Sequence, residues 1–264
     1  MSKFVGIDLN GYGRPVQVAV SETDVQAIVI HQCCKHTRRA QDFEAMDNEI
    51  IEKMTDADVI AIDAPLGFPM KFRDVLLGMD NSYAINHDDD FWSELPAKPF
   101  RRHTESFLHE YLEIQPLSAV ADKLAYVAIR AIHIVRRFKV QHPNAAVIPF
   151  DDLNSDGSLI IEVYPSATLI AHDKTESYKG DSRENLIQYF NWTKEHLLNG
   201  MEVFLQKRNM DKVALDDEII THDHLDALIC LHLAITFRDR PRPAKYNADK
   251  LHALPYTYEG LIYY

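Results

Sequence analysis

Cysteine is scarce in this 264-residue chain: Cys33, Cys34 and Cys230 are the only three. So sparse and odd a count excludes a disulfide framework, and no CxxC spacing offers a zinc site. Buried, reduced thiols in a cytoplasmic protein are the expectation. Basic charge is also short, with 28 Lys and Arg against 40 Asp and Glu and a formal net charge of -12. That excludes a general nucleic-acid coat, which needs a basic surface, but not a nucleic-acid enzyme with a local basic patch. No apolar run approaches the roughly 20 residues of a membrane helix. Asp8 interrupts the short apolar run of MSKFVGIDLN, so there is no signal-peptide layout. Walker A, GxGxxG and GxSxG patterns are missing, which removes support for dinucleotide binding and serine hydrolysis. No repeat or low-complexity linker divides the chain, so one domain over residues 1–264 is expected. Its hydrophobic content of 46% is enough for a large core.

Periodicity then orders the elements. Phe4 to Asn10, Pro15 to Ser21 and Val25 to Cys33 read as three strands close enough for an antiparallel meander. Arg39 to Met54 carries a helical stripe of Phe43, Met46, Ile50 and Met54. ADVIAIDAPLG follows as a buried central strand, and a crossover helix before it implies parallel pairing with the first strand. Residues 68–115 have weak periodicity, with Pro69, Pro96, Pro99 and an acidic patch, Asp88 to Asp90, and read as an inserted lid. Pro116 to Phe138 is a helix, LIIEVYPSATL from Leu159 a strand broken by Pro165, and Ser182 to Arg208 a long helix or helix pair with Gly200 as its break. HDHLDALICLHLA, from His222 to Ala234, is a buried helix. The fold class expected is α/β: a mixed sheet of a three-stranded antiparallel meander plus parallel strands, flanked by helices.

Four acids interrupt segments that otherwise belong in a core: Asp8 in VGIDLN, Asp63 in AIDAPLG, Glu162 in IIEVYP and Asp226 in HLDALIC. Any one alone could be a cap or turn former. Asp223, one helical turn before Asp226, is also favoured by the helix dipole. Gathered at strand ends, where open sheets bind ligands, such acids repel unless a cation lies among them. Mg²⁺ and Mn²⁺ prefer oxygen ligands of this kind. Two such ions about 4 Å apart can activate water and stabilise a leaving oxygen in phosphodiester cleavage.

The order strand-strand-strand-helix-strand, with acids on the first and fourth strands, resembles the RNase H-like fold. DHLDAL is similar to the D-x-x-D-A motif on the last catalytic helix of RuvC-type resolvases. VGID, IDAPLGFP, the R-x-T-E run from Arg102 to Glu105, IEVYPSATL, HxxDAL and the terminal EGLIYY resemble, over nearly the whole chain, a family of RNase H-like nucleases known as domain of unknown function 429. The resemblance implies a nuclease in which Asp8, Asp63 and Asp226 hold Mg²⁺ or Mn²⁺, with Asp223 in catalytic support. Asp8 would bridge the metals. Glu162 would be a further ligand or would orient Arg102 or Lys123. The resolvases usually carry Glu on the central strand; here it is Asp63.

Arg101, Arg102 and Lys123 are candidate substrate-binding residues, since Arg grips phosphate bidentately. The alternative for the Arg101–His103 run is a salt bridge to Glu105 or to the acidic patch. Glu105 and His224 are supporting candidates; His222 and His224 could equally be ordinary residues of a helix start. Arg238, Arg240, Arg242 and Lys245 form the densest positive run, suited to a nucleic-acid backbone or to a helix C-terminus. Ser166 and Thr168 could touch a phosphate or form a turn, and Tyr256, Tyr258, Tyr263 and Tyr264 are expected to dock the C-terminal tail. The expected partner is therefore DNA or RNA and not a membrane, and a homodimer would suit a junction substrate. Two other readings remain open: a non-catalytic metal- or nucleotide-binding module on the same scaffold, and an actin-like or sugar-kinase phosphotransferase. The second lacks its duplicated half and phosphate loops.

Overall fold

A computed structural model describes residues 2–11, 14–22, 27–33, 40–70, 72, 101–114, 116–151, 156–174, 178–179, 182–207, 210–239 and 261–264. Among the described residues its frame is a nine-stranded mixed sheet, in the order β5 (Ala146–Ile148), β6 (Leu159–Val163), β4 (Val59–Asp63), β1 (Lys3–Asp8), β2 (Val16–Glu22), β3 (Ala27–Cys33), β7 (Glu202–Lys207) and β8 (Val213–Ala214), with β9 (Ile262–Tyr263) paired to β6. The strands β1 (Lys3–Asp8), β2 (Val16–Glu22) and β3 (Ala27–Cys33) form the antiparallel meander. Helix α1 (Ala40–Met54) crosses over to β4 (Val59–Asp63), which lies parallel to β1. β5 (Ala146–Ile148) and β6 (Leu159–Val163) extend the sheet in parallel beyond β4. The expected α/β class, with its meander and parallel strands, is the class found.

Alternation along the strands divides the core in two. Phe4, Ala19, Ile28, Val59, Ala61 and Ile161 pack on one face. Val5, Ile7, Val18, Ile60, Ile62 and Ile160 pack on the other, as a period of two requires. Helix α2 (His103–Leu112) lies near the sheet end, and α3 (Asp122–Gln141) covers the second face beside α1. Helix α4 (Pro165–Ala171) opens with Pro165 in its first turn, where the missing N–H costs nothing. Helix α5 (Arg183–Trp192) is capped by Ser182, whose Oγ accepts from the Asn185 backbone. Helix α6 (His222–Asp239) fills the first face. It is apolar nearly all round because β1 and β4 lie beneath it and α4 and α5 beside it.

Gly6 makes the closest approach possible. A Cβ there would stand 2.1 Å from the Leu231 nitrogen and 2.5 Å from the Ala227 carbonyl oxygen. The glycine of the GID motif thus lets α6 lie directly on β1.

Some expectations change. The segment Ser182 to Arg208 is only half helical. After α5 a π-helical turn runs over Thr193–Leu197, Asn199 and Gly200 take φ of 52° and 71°, and β7 (Glu202–Lys207) begins. EVFLQK is good helix material, but Val203 and Leu205 are buried on alternate positions and the strand runs parallel to β3. Sheet pairing here overrides propensity. The short β8 (Val213–Ala214), β5 and β9 (Ile262–Tyr263) were not anticipated as strands. The long helix α3 starts at Asp122 rather than Pro116, because Ser118 Oγ accepts from the Val120 nitrogen in a turn ahead of it. Of the lid assigned to 68–115, residues 71, 73–100 and 115, with the acidic patch Asp88 to Asp90, lie outside the described residues. So do Cys34, Arg240, Arg242, Lys245, Tyr256 and Tyr258. Tyr263 does dock the tail, through β9 against β6. No helix among the described residues is long and apolar enough to cross a membrane.

Candidate functional site

Asp8 and Asp63 end adjacent parallel strands and are register partners. Asp8 shares the face of Phe4 and Gly6, and Asp63 that of Val59 and Ala61, so both face α6. The close seat of α6 on Gly6 brings Asp226 down onto them. One carboxylate oxygen from each of Asp8, Asp63 and Asp226 lies within 4.8 Å of the others. Asp8 and Asp226 are buried, at 6% and 3% exposure.

Such crowding raises the cost of charge. Burial, then Asp226, Asp63 and Asp223, push the Asp8 pKa well above the carboxylate range, against a small opposing pull from Lys179. Burial and Asp226 push Asp63 to about 7. Asp223, half-buried and outside the group of three, is raised by burial and by Asp226.

Two neighbours that sequence reading missed hold Asp226. The Tyr178 hydroxyl donates to its Oδ1, and Lys179 Nζ lies 2.8 Å from its Oδ2. Burial opposes the Lys179 charge, but Asp226 and Asp63 hold its pKa above the ordinary lysine value. Both residues come from a polar stretch, SYKG, without periodicity, and nothing local marks them. Asn10 is the third. Its Nδ2 donates to Asp8 Oδ2 at 3.2 Å and to the Pro15 carbonyl at 3.1 Å. Its own carbonyl accepts from Arg130 Nη1 at 2.6 Å, and Arg130 is paired with Asp47 at 2.8 Å in the layer between α1 and α3. The turn after β1 is thereby pinned to the helices behind it.

The carboxylates open into a cavity of about 560 Å³. Its polar lining includes Arg14, Lys179, His222, Asp223, Tyr164 and Ser166. Leu9, Pro65, Leu117, Leu124 and Val127 provide apolar wall.

Glu162 stands apart from the three aspartates. Its register partner is Ile62, not Asp63, so it shares the face of Ile160. There it accepts from Arg102 Nη1 and Nη2 at 2.7 and 2.6 Å and from the Leu66 nitrogen at 2.9 Å. Glu162 is thus bonded to Arg102, one of the two basic residues it was expected to orient. Arg102 is 1% exposed, and its Nε also donates to Glu105 at 2.8 Å. The guanidinium is thus spent on the salt-bridge alternative. Burial opposes its charge, but Glu162 and Glu105 raise its pKa above the usual arginine value. Glu105 also accepts from the backbone of Arg102 and Ala119 at the start of α2. Burial raises its pKa, with Arg102 pulling the other way.

The remaining candidates scatter. Arg101 is half-buried and Lys123 exposed, and neither lines the cavity. His224 is buried away from it: its Nδ1 accepts from the Thr221 nitrogen, and burial lowers its pKa to about 4. His222 is the histidine that lines the cavity, with its ring 6.0 Å from that of Tyr178. Arg238 donates to Ser2 at the far end of α6. Ser166 faces the cavity and Thr168 is buried in α4.

No curated protein and no solved structure gives a significant match to the chain. One family does, described as protein of unknown function (DUF429), over residues 6–244, and the chain belongs to it.

Proposed function

We propose that this protein is a divalent-metal-dependent phosphodiesterase that hydrolyses nucleic acid on an RNase H-like scaffold. The observation that carries the reading is the meeting of three carboxylate oxygens within 4.8 Å at the carboxyl ends of β1 and β4 and on α6. Hard oxygen donors in that number suit Mg²⁺ or Mn²⁺. Burial, and then repulsion between the carboxylates, raises Asp8 and Asp63, and a cation among them would relieve both. The strand order β3-β2-β1-β4-β6 supports the scaffold.

Asp8, Asp63 and Asp226 would hold the metal. When bound, it would supply Lewis-acid stabilisation of the phosphoryl oxygens and lower the pKa of a water. Asn10 fixes the orientation of Asp8. Tyr178 and Lys179 fix that of Asp226. Arg14 and Lys179 offer positive charge to a phosphate at the cavity mouth, and His222 offers a ring nitrogen within the same wall. The apolar side of Leu117, Leu124 and Val127 suits a base or sugar face. We place the protein in the cytoplasm, where the buried free thiols of Cys33 and Cys230 would stay reduced.

The test is cleavage of single-stranded and duplex DNA, a four-way junction, RNA and an RNA–DNA hybrid with Mg²⁺ or Mn²⁺. Asp8→Asn, Asp226→Asn and EDTA controls run beside the parent. Cleavage by the parent alone is expected. Silence across the panel, or equal activity in the variants, would overturn the reading and favour a binding module.

A further inference from the structure

We infer that Lys179 is a built-in cation of the carboxylate cluster, standing in for a second metal, so that the site takes one divalent ion per chain. This rests on the metal reading above and goes beyond it by fixing the number of ions and the residue that sets it.

The charge balance carries the inference. Three ionised carboxylates are balanced by one divalent ion together with one ammonium, and buried charges need such balance. Here the group contains three carboxylates and no fourth among the described residues; Asp223 lies outside it. Several of the six oxygens are already engaged. Tyr178 donates to Asp226 Oδ1, Lys179 lies 2.8 Å from Oδ2, and Asn10 donates to Asp8 Oδ2. One oxygen from each of the three carboxylates, completed by water, suits one octahedral ion.

The second cation is already present as an ammonium. Lys179 interacts electrostatically with all of Asp226, Asp63 and Asp8. Its Nζ also lies over the Tyr178 ring, 5.4 Å from the centroid. The side chain is 47% exposed and lines the cavity.

The test counts Mn²⁺ on the full-length protein by calorimetry and by electron paramagnetic resonance, without any substrate. Wild type should bind one ion with the six-line spectrum of isolated Mn²⁺. Lys179→Met and Lys179→Gln should each bind two, with the broadened spectrum of an exchange-coupled pair, while Lys179→Arg should stay at one. Circular dichroism confirms that each variant is folded, and either neutral variant suffices. Two ions on wild type, or a single ion on both neutral variants, would overturn the inference and leave the metal reading intact. No Mn²⁺ on wild type would overturn both.

Discussion

Two buried groups of acids border the same cavity and differ in how their charge is met. Glu105 and Glu162 share one guanidinium, Arg102, through short bonds to three of its nitrogens, and backbone N–H groups of Leu66, Arg102 and Ala119 complete the set. Among the described residues, Asp8, Asp63 and Asp226 have one half-exposed ammonium, with an amide and a phenol. The first group is closed and holds α2 to β6. The second is left short of positive charge and faces the cavity. Burial of acids alone therefore does not mark a site; the deficit of local compensation does.

The largest effect that would break this contrast is on stability. Arg102→Met should leave Glu105 and Glu162 buried without their cation, at a cost of about 3–5 kcal/mol. Urea midpoints measure it, and a loss under about 1 kcal/mol would mean that the closed group is not closed.

Neutralising the open group should act with the opposite sign. Without metal, Asp63→Asn should raise stability by about 1–3 kcal/mol at neutral pH, because its carboxyl, raised to about 7, resists ionisation. The same change should weaken Mn²⁺ binding. Equal destabilisation in both groups would erase the distinction between them.

The pH dependence sharpens it. Folded Asp63 keeps its proton to about pH 7, whereas an unfolded aspartate loses it near about 3.9. Between those values the folded state binds more protons, so this contribution is full at low pH and is lost as pH rises to about 7. His31, His224 and His232 run the other way. Burial lowers each to about 4, so their contribution grows as pH rises from about 4 toward the unfolded value. The metal-free Asp8→Asn/Asp63→Asn protein should therefore gain stability more steeply with rising pH than wild type does. Urea titrations at pH 4.5, 5.5 and 6.5, each value being about one unit apart, give the two slopes; parallel slopes would count against the raised aspartates. A smaller effect is expected at Asn10. Removing a group that only orients a ligand typically costs about 10–100-fold in metal affinity, so Asn10→Ala should fall near the lower figure.

How far the sequence could be read follows the same division. Acids within apolar strands were legible, because a period of two and a buried run place them at strand ends. Helix α6 was legible as a long apolar run, HDHLDALICLHLA, too long for a strand. Which acids meet was less so. Glu162 and Asp63 look alike in IIEVYP and AIDAPLG, yet the parallel register sets Glu162 beside Ile62 and turns it to the other face. That depends on pairing between segments about a hundred residues apart. Lys179 and Tyr178 carry no periodic signal, and only the folded chain brings them to Asp226. EVFLQK misled because helix propensity is local and the partner that makes it a strand, β3, is distant.

The smallest expected effect concerns Lys123, the basic residue once paired in expectation with Glu162. It lies exposed at the second position of α3 and does not line the cavity. A cation in the first turn of a helix faces the positive end of the dipole, so its removal gives up nothing there. Surface substitutions of this kind change stability by less than about 0.5 kcal/mol, roughly 2 °C or less in melting temperature for a chain of this size. Salt screens a solvent-exposed charge over about 8 Å, so it adds little to a buried cluster it does not touch. Lys123→Ala should leave Mn²⁺ affinity within about twofold, a difference below about 0.5 kcal/mol, where the neutral Lys179 variants change the number of ions bound. A clear loss of Mn²⁺ affinity in Lys123→Ala would show that the open group draws on charge from well outside its own contacts, and the contrast with the closed group would then be one of range rather than of local pairing.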